Sequence, residues 1–212
     1  MKLFLSSIGI NNAKELYKLV GQNKKIKTAL ITNAFELKSP SDRKIRYDLV
    51  MGNLSKLNLD ITEVDLKKYI NKSKELKQEL AKYDFIWANG GNVFYLRMLV
   101  RQSGFDAIIK ELLDSGLVYG GDSAGAIVAG PTLHGFELPE QTSQVKELIY
   151  EGLNLVNVVP IPHWGNQKFQ KAFKNIQKYC KKKGLNTMPF ADNQAIIFNK
   201  NKHKVIFNKI KL

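Results

Sequence analysis

Five strand-sized apolar runs, each followed by a segment of helical character, set the tightest limit on what this chain can fold into. The runs are residues 3–7, 28–32, 59–64, 84–88 and 117–121. Short, nearly continuous apolar runs suit strands buried on both faces of a parallel sheet. Asn12 offers an N-cap for a helix reaching Gly21. Ser41-Asp42-Arg43-Lys44 opens a second helix, with Ile45, Leu49, Leu54 and Leu57 on or near its apolar face. Helices are expected at 74–82, 93–102 and 105–115 as well. This is the rhythm of an α/β fold, an open and mostly parallel sheet with helices on both faces. The last third differs. A strand at 156–162 ends at His163, a long helix covers 168–182, and 195–198 and 204–207 flank the polar turn 199–203. That pair reads as a C-terminal β-hairpin adding antiparallel strands at an edge. No Pro/Gly/Ser-rich linker or repeat interrupts the 212 residues, so one domain over 1–212 is expected.

Several function classes drop out on composition. Cys180 is the lone cysteine, which excludes an intrachain disulfide and a cysteine zinc site. No cofactor and no metal are expected. The apolar runs are too short to span a bilayer, so no membrane partner is expected. The opening Met1-Lys2-Leu3-Phe4-Leu5 reads as a first strand and not as a leader, which gives the cytoplasm as the expected compartment. The net charge of +14 invites a nucleic-acid reading, but the basic residues are lysines apart from Arg43, Arg46, Arg97 and Arg101. Arginine is the side chain suited to bidentate phosphate and guanine contacts, and the lysines here are scattered over helix faces and ends. Nucleic acid is therefore not expected as the main partner. A diffuse positive field does draw in small acidic molecules.

Chemistry gathers in Gly121-Asp122-Ser123-Ala124-Gly125. A G-x-S-x-G sequence between an apolar strand and a small-residue helix start lifts a serine hydroxyl above the sheet edge on a sharp, strained turn. The Ala124 amide then points to where an oxyanion would form. Without catalysis, the same residues would make a tight turn whose serine caps a helix. Asp122 reads as a turn former accepting backbone N–H groups, not as a catalytic acid. A second loop, Asn89-Gly90-Gly91-Asn92, follows another strand. Its glycines leave amides exposed for close approach of a ligand, and one of them could be a second oxyanion donor.

A serine nucleophile needs a base. His163 leaves an apolar strand at the edge where Ser123 is expected, His134 is the runner-up, and His203 lies in the hairpin turn facing solvent. The base needs an orienting carboxylate. Asp192 stands just before an apolar strand, and Glu137, Glu140, Glu147 and Glu151 compete with it. The chain order Ser, His, acid differs from the Ser, acid, His order of α/β-hydrolases.

With Gly90-Gly91-Asn92, Gly121-Asp122-Ser123-Ala124-Gly125-Ala126 and Pro162-His163-Trp164 in this order and spacing, the chain resembles the peptidase E-like serine peptidases of family S51, the group of aspartyl dipeptidase and cyanophycinase. The resemblance covers most of the chain. It implies a flavodoxin-like sandwich shared with class I glutamine amidotransferases. It further implies hydrolysis of small peptides, including aspartyl dipeptides or isopeptides, through a Ser-His-Asp/Glu triad and an acyl-enzyme. Ser123 would be the nucleophile, His163 the base and Asp192 the acid, with Gly91 and Ala124 forming the oxyanion hole. Gly90, Asn92 and Lys168 would face the substrate. Aspartyl dipeptidases carry a basic residue downstream of the catalytic histidine to hold the aspartyl carboxylate. Here no arginine follows Arg101, and Lys168 is the available cation. Two further readings stand beside this one: a non-catalytic binding or stress-related protein on the same fold, and a polyanion binder. Homodimerisation is left open.

Overall fold

The computed structural model describes residues 1–10, 12–21, 25–138, 142–200 and 202–207, and the account below concerns these. Strand β1 (Lys2–Ser6) leads to helix α1 (Ala13–Val20), which Asn12 caps by accepting from the Glu15 amide and which Gly21 ends in a left-handed conformation. Strand β2 (Ile26–Ile31) is followed by α2 (Pro40–Leu54), β3 (Leu59–Glu63), α3 (Ser73–Leu80) and β4 (Phe85–Ala88). Helices α4 (Val93–Gln102) and α5 (Phe105–Asp114) precede β5 (Val118–Asp122) and the single turn α6 (Ala124–Ile127). Beyond them lie β6 (Val158–Ile161), α7 (Gln170–Lys182), β7 (Asn186–Pro189), β8 (Gln194–Asn199) and β9 (Lys202–Phe207).

The main sheet has the order β3-β2-β4-β5-β1-β8-β9. Its first five strands are parallel, and β8 and β9 add on antiparallel beyond β1. Alternation along each strand feeds two cores. Leu3, Leu5, Ile31, Ile86 and Tyr119 face the side covered by α3–α7, while Phe4, Leu30, Phe85, Trp87 and Val118 face α1 and the end of α2. This is a mostly parallel α/β sandwich of flavodoxin-like type, and the terminal hairpin lies at its edge as expected. In such sheets ligands bind beyond the carboxyl ends of the strands, where β1, β4 and β5 end here.

Three expectations need correction. The 156–162 run does not join the main sheet. As β6 it pairs in parallel with β7, a strand that Asn186-Thr187-Met188-Pro189 does not announce by apolarity. Helix α2 starts at Pro40 on an Ser39 cap, and its Ile45 and Leu49 are 58% and 62% exposed. The helix packs through Val50, Met51 and Leu54 near its end, beside the edge strand β3, so its first turns overhang the sheet. His203 lies within β9, not in the turn. Glu140 lies outside the described residues.

Candidate active site

At the end of β5 the Ser123 backbone takes φ 48° and ψ −110°. A non-glycine residue holds such a conformation at a cost of about 1–3 kcal/mol, and only when its surroundings insist. Here the Ser123 amide donates to the Ser6 carbonyl at 3.1 Å, and its own carbonyl accepts from Ala126 and Ile127. Gly125 permits the turn, since a Cβ there would stand 2.0 Å from the Ala88 carbonyl oxygen.

Ser123 Oγ lies 3.0 Å from His163 Nε2, and His163 Nδ1 lies 2.6 Å from Asp192 Oδ1. With Nδ1–H donated to the carboxylate, Nε2 is left to accept from the serine hydroxyl; the partners assign this tautomer. Phe169 stacks on the imidazole at 5.2 Å. The remaining histidines are elsewhere. His134 is stacked between Tyr150 and Tyr179, with Glu137 beside it, and His203 lies against Phe198. Glu147 is exposed, and Glu151 bridges to Thr132.

Ser7 belongs to no motif, yet it joins the site. It is fully buried just past β1, accepts from the His163 amide at 2.8 Å and donates to Asp192 Oδ1 at 2.8 Å. The only sequence signal for it is a polar residue at the carboxyl end of the first parallel strand. Asp192 is 40% exposed, so water competes for its orientation and the buried hydroxyl counters that. Ser7→Ala is expected to lower kcat by ~10- to 100-fold, the worth of one hydrogen bond to a charged group, with KM little changed in steady-state assays.

Asp122 behaves as the turn former its position implied. Its Oδ1 accepts from the Gly90 amide at 3.0 Å and its Oδ2 from Gly9 at 3.4 Å, tying two loops to the serine turn. Desolvation pushes its carboxyl up to about 6, against these two backbone bonds, which favour the charged form. A raised folded pKa means that folding favours the protonated group. The stability it brings is full below the unfolded value, near pH 4, and is lost as pH rises through about 6. The melting temperature of the wild type, measured relative to Asp122→Asn, is therefore expected to fall between about pH 4.5 and about pH 7.5 in paired thermal melts.

Gly91 holds φ +153°, and a Cβ there would stand 2.3 Å from the Ala34 carbonyl oxygen. Among the described residues nothing accepts a hydrogen bond from the Gly91 or Ala124 amides, which flank the serine turn. Gly90 presses on the turn, where a Cβ would come within 2.9 Å of Ser123 Cβ. Asn92 caps α4 by accepting from the Tyr95 amide at 2.9 Å. Lys168 Nζ stands over the Phe169 ring, 5.6 Å from its centre. Ser123, His163, Gly90, Gly91, Asn92 and Lys168 all line one open cavity of about 560 Å³. Among the described residues no three His, Cys, Asp or Glu are grouped to hold a metal ion, and no helix is long and apolar enough to cross a membrane.

Known proteins share this arrangement of elements. The chain is 32% identical over 146 residues, 68% of each protein, to an uncharacterised peptidase of Listeria innocua. It is 29% identical over 121 residues to a peptidase E of Shewanella denitrificans, covering 56% of this chain and 46% of that one. In fold it superposes on a candidate peptidase E protein of Listeria monocytogenes EGD-e with a TM-score of 0.82 at 24% identity, covering 97% of this chain and 98% of the other. A peptidase from an acI-B1 actinobacterium gives 0.72 at 20% identity, covering 97% and 87%. The family model for peptidase family S51 matches residues 13–206, which takes in the serine turn, the second glycine loop, His163 and Asp192. This chain belongs to peptidase family S51 and is a peptidase.

Proposed function

We propose that the chain is a serine peptidase that cleaves short peptides through an acyl-enzyme on Ser123. The unbroken run of contacts from Ser123 Oγ to His163 at 3.0 Å, and from His163 to Asp192 at 2.6 Å, carries this reading. His163 Nε2 takes the hydroxyl proton as Oγ attacks the scissile carbonyl, while Asp192 holds the ring and balances the imidazolium. The carbonyl oxygen, now an anion, accepts from the Gly91 and Ala124 amides. His163 returns the proton to the departing amine, and a water activated by the same ring hydrolyses the ester. Gly90 holds the oxyanion loop against the serine turn, while Asn92 and Lys168 face the substrate from the cavity wall.

The size of the cavity favours a short peptide over a folded chain. A non-catalytic role on the same fold would leave the nearest imidazole out of reach of the serine, and here both an imidazole and a carboxylate are within hydrogen-bond distance. A dipeptide panel that includes α- and β-aspartyl peptides, run with wild type and Ser123→Ala, tests the reading. Cleavage by the wild type that vanishes in the variant supports it; equal cleavage by both rules it out.

A further inference from the structure

The Gly91 amide belongs to a loop that is held from two sides. On one side the Gly90 amide donates to Asp122 Oδ1 at 3.0 Å. On the other the Asn92 amide donates to the Ala34 carbonyl at 2.6 Å, the oxygen that leaves no room for a Cβ on Gly91. A peptide unit between two tethered neighbours keeps little freedom to turn, because each peptide is planar. Ala34 lies in the short turn Asn33–Phe35 that follows β2. The direction of the Gly91 N–H therefore depends on where that turn sits.

A ring of hydrogen bonds sets the turn. Asn33 is buried, and its Oδ1 accepts from the Leu66 amide at 3.1 Å. Its Nδ2 donates to Glu36 Oε1 at 2.5 Å and to Asp65 Oδ1 at 2.8 Å. Glu36 Oε2 accepts from the Tyr95 hydroxyl at 3.0 Å and pairs with Lys67 Nζ at 2.8 Å. Tyr95 stands in the first turn of α4, where its own amide donates to Asn92 Oδ1. The ring thus runs from Asn33 through Glu36 and Tyr95 to Asn92, and returns through Ala34. Burial and the Glu36 carboxylate push the Tyr95 phenol up to about 12, so it stays a donor at neutral pH. Glu36 meets three donors, which suits a carboxylate, an acceptor on both oxygens. A glutamine would turn an NH2 group toward one of them. Ala34, Gly91 and Asn92 line the cavity, and Asn33, Glu36 and Tyr95 support them from behind.

Resting on Ser123 as the nucleophile and Gly91 as an oxyanion donor, we propose that Glu36 is a positioning residue. It acts through Asn33, Tyr95 and the Ala34 carbonyl to aim the Gly91 amide at the oxyanion. The probes that read this are para-nitrophenyl acetate and its thiono analogue, in which sulfur replaces the carbonyl oxygen. In each reaction Ser123 Oγ bonds to the carbonyl carbon, para-nitrophenolate leaves, and the serine proton passes to His163; water then frees the serine. Sulfur is larger than oxygen and a weaker acceptor, so a well-aimed pair of amides favours the acetate. Glu36→Gln is expected to lower kcat on the acetate by ~10-fold with KM little changed, a fraction of the cost of losing a whole donor, and to shrink the acetate-to-thiono rate ratio by at least ~3-fold. Tyr95→Phe, which removes one hydroxyl from the ring of bonds, is expected to shift the ratio the same way by less. A purely structural defect would slow both esters alike. If Glu36→Gln slows both esters equally, or neither, while Ser123→Ala abolishes turnover, the positioning role is wrong and the nucleophile stands. If neither ester is turned over at a rate that Ser123→Ala removes, the nucleophile and this inference fall together.

Discussion

Ser123→Ala is expected to lower kcat/KM on any peptide the wild type cleaves by on the order of 10⁴- to 10⁶-fold. The remaining rate would come from the amides of Gly91 and Ala124 and from substrate binding, which do not depend on the hydroxyl. Alanine fits the strained turn no worse than serine in volume, and among the described residues the hydroxyl bonds to the His163 ring. Thermal melting should therefore change little, and the loss of rate reports chemistry and not folding. A variant retaining a tenth of wild-type activity would remove Ser123 from the mechanism.

The second large effect is expected from Asp192→Asn, a fall in kcat on the order of 10³- to 10⁴-fold. The asparagine keeps the shape but loses the charge that balances the imidazolium. Its amide would also compete for the contact with Nδ1, allowing the ring to hold its proton on Nε2, the atom that must accept from Ser123. Ser7 donates to the same Oδ1 that faces His163 at 2.6 Å, so the hydroxyl and the imidazole share one carboxylate oxygen. A neutral oxygen there satisfies both donors less well. Kinetics at saturating substrate checks this, because a defect in ring orientation appears in kcat with KM nearly unchanged.

Much of the fold was legible because its signals are local. The α4 helix spans Val93–Gln102 as expected, because Asn92 caps it and its apolar residues recur at helical spacing. The serine turn was readable for the same reason: its glycines stand where backbones approach within contact. The second sheet was not readable. Parallel pairing of β6 with β7 joins residues far apart in sequence, and each strand carries a proline in its register, Pro160 opposite Met188 and Pro189 opposite Ile161. Helix α2 departs from its apolar pattern because that spacing promises burial that only a neighbour could supply, and the sheet ends beside it.

The acid proposed for the site is placed by that pairing. From sequence, Asp192 stood level with several glutamates. What distinguishes it is the course of the chain around β6 and β7. The Phe190 amide donates to Ile161 and the Trp164 amide donates to Phe190, so residues 190–193 run alongside Pro162 and His163. Ser7 is hard to read for a related reason. Its partners lie 156 and 185 residues away, and its one local mark is its place just past the end of the first parallel strand.

The central claim is that Ser123 is an activated nucleophile. Its most direct measurement is incubation with a fluorophosphonate, followed by peptide mapping of the adduct. One adduct on the peptide containing Ser123 is expected, absent from Ser123→Ala and formed much more slowly in Asp192→Asn. Equal labelling of wild type and Ser123→Ala, or an adduct on another residue, would contradict the account.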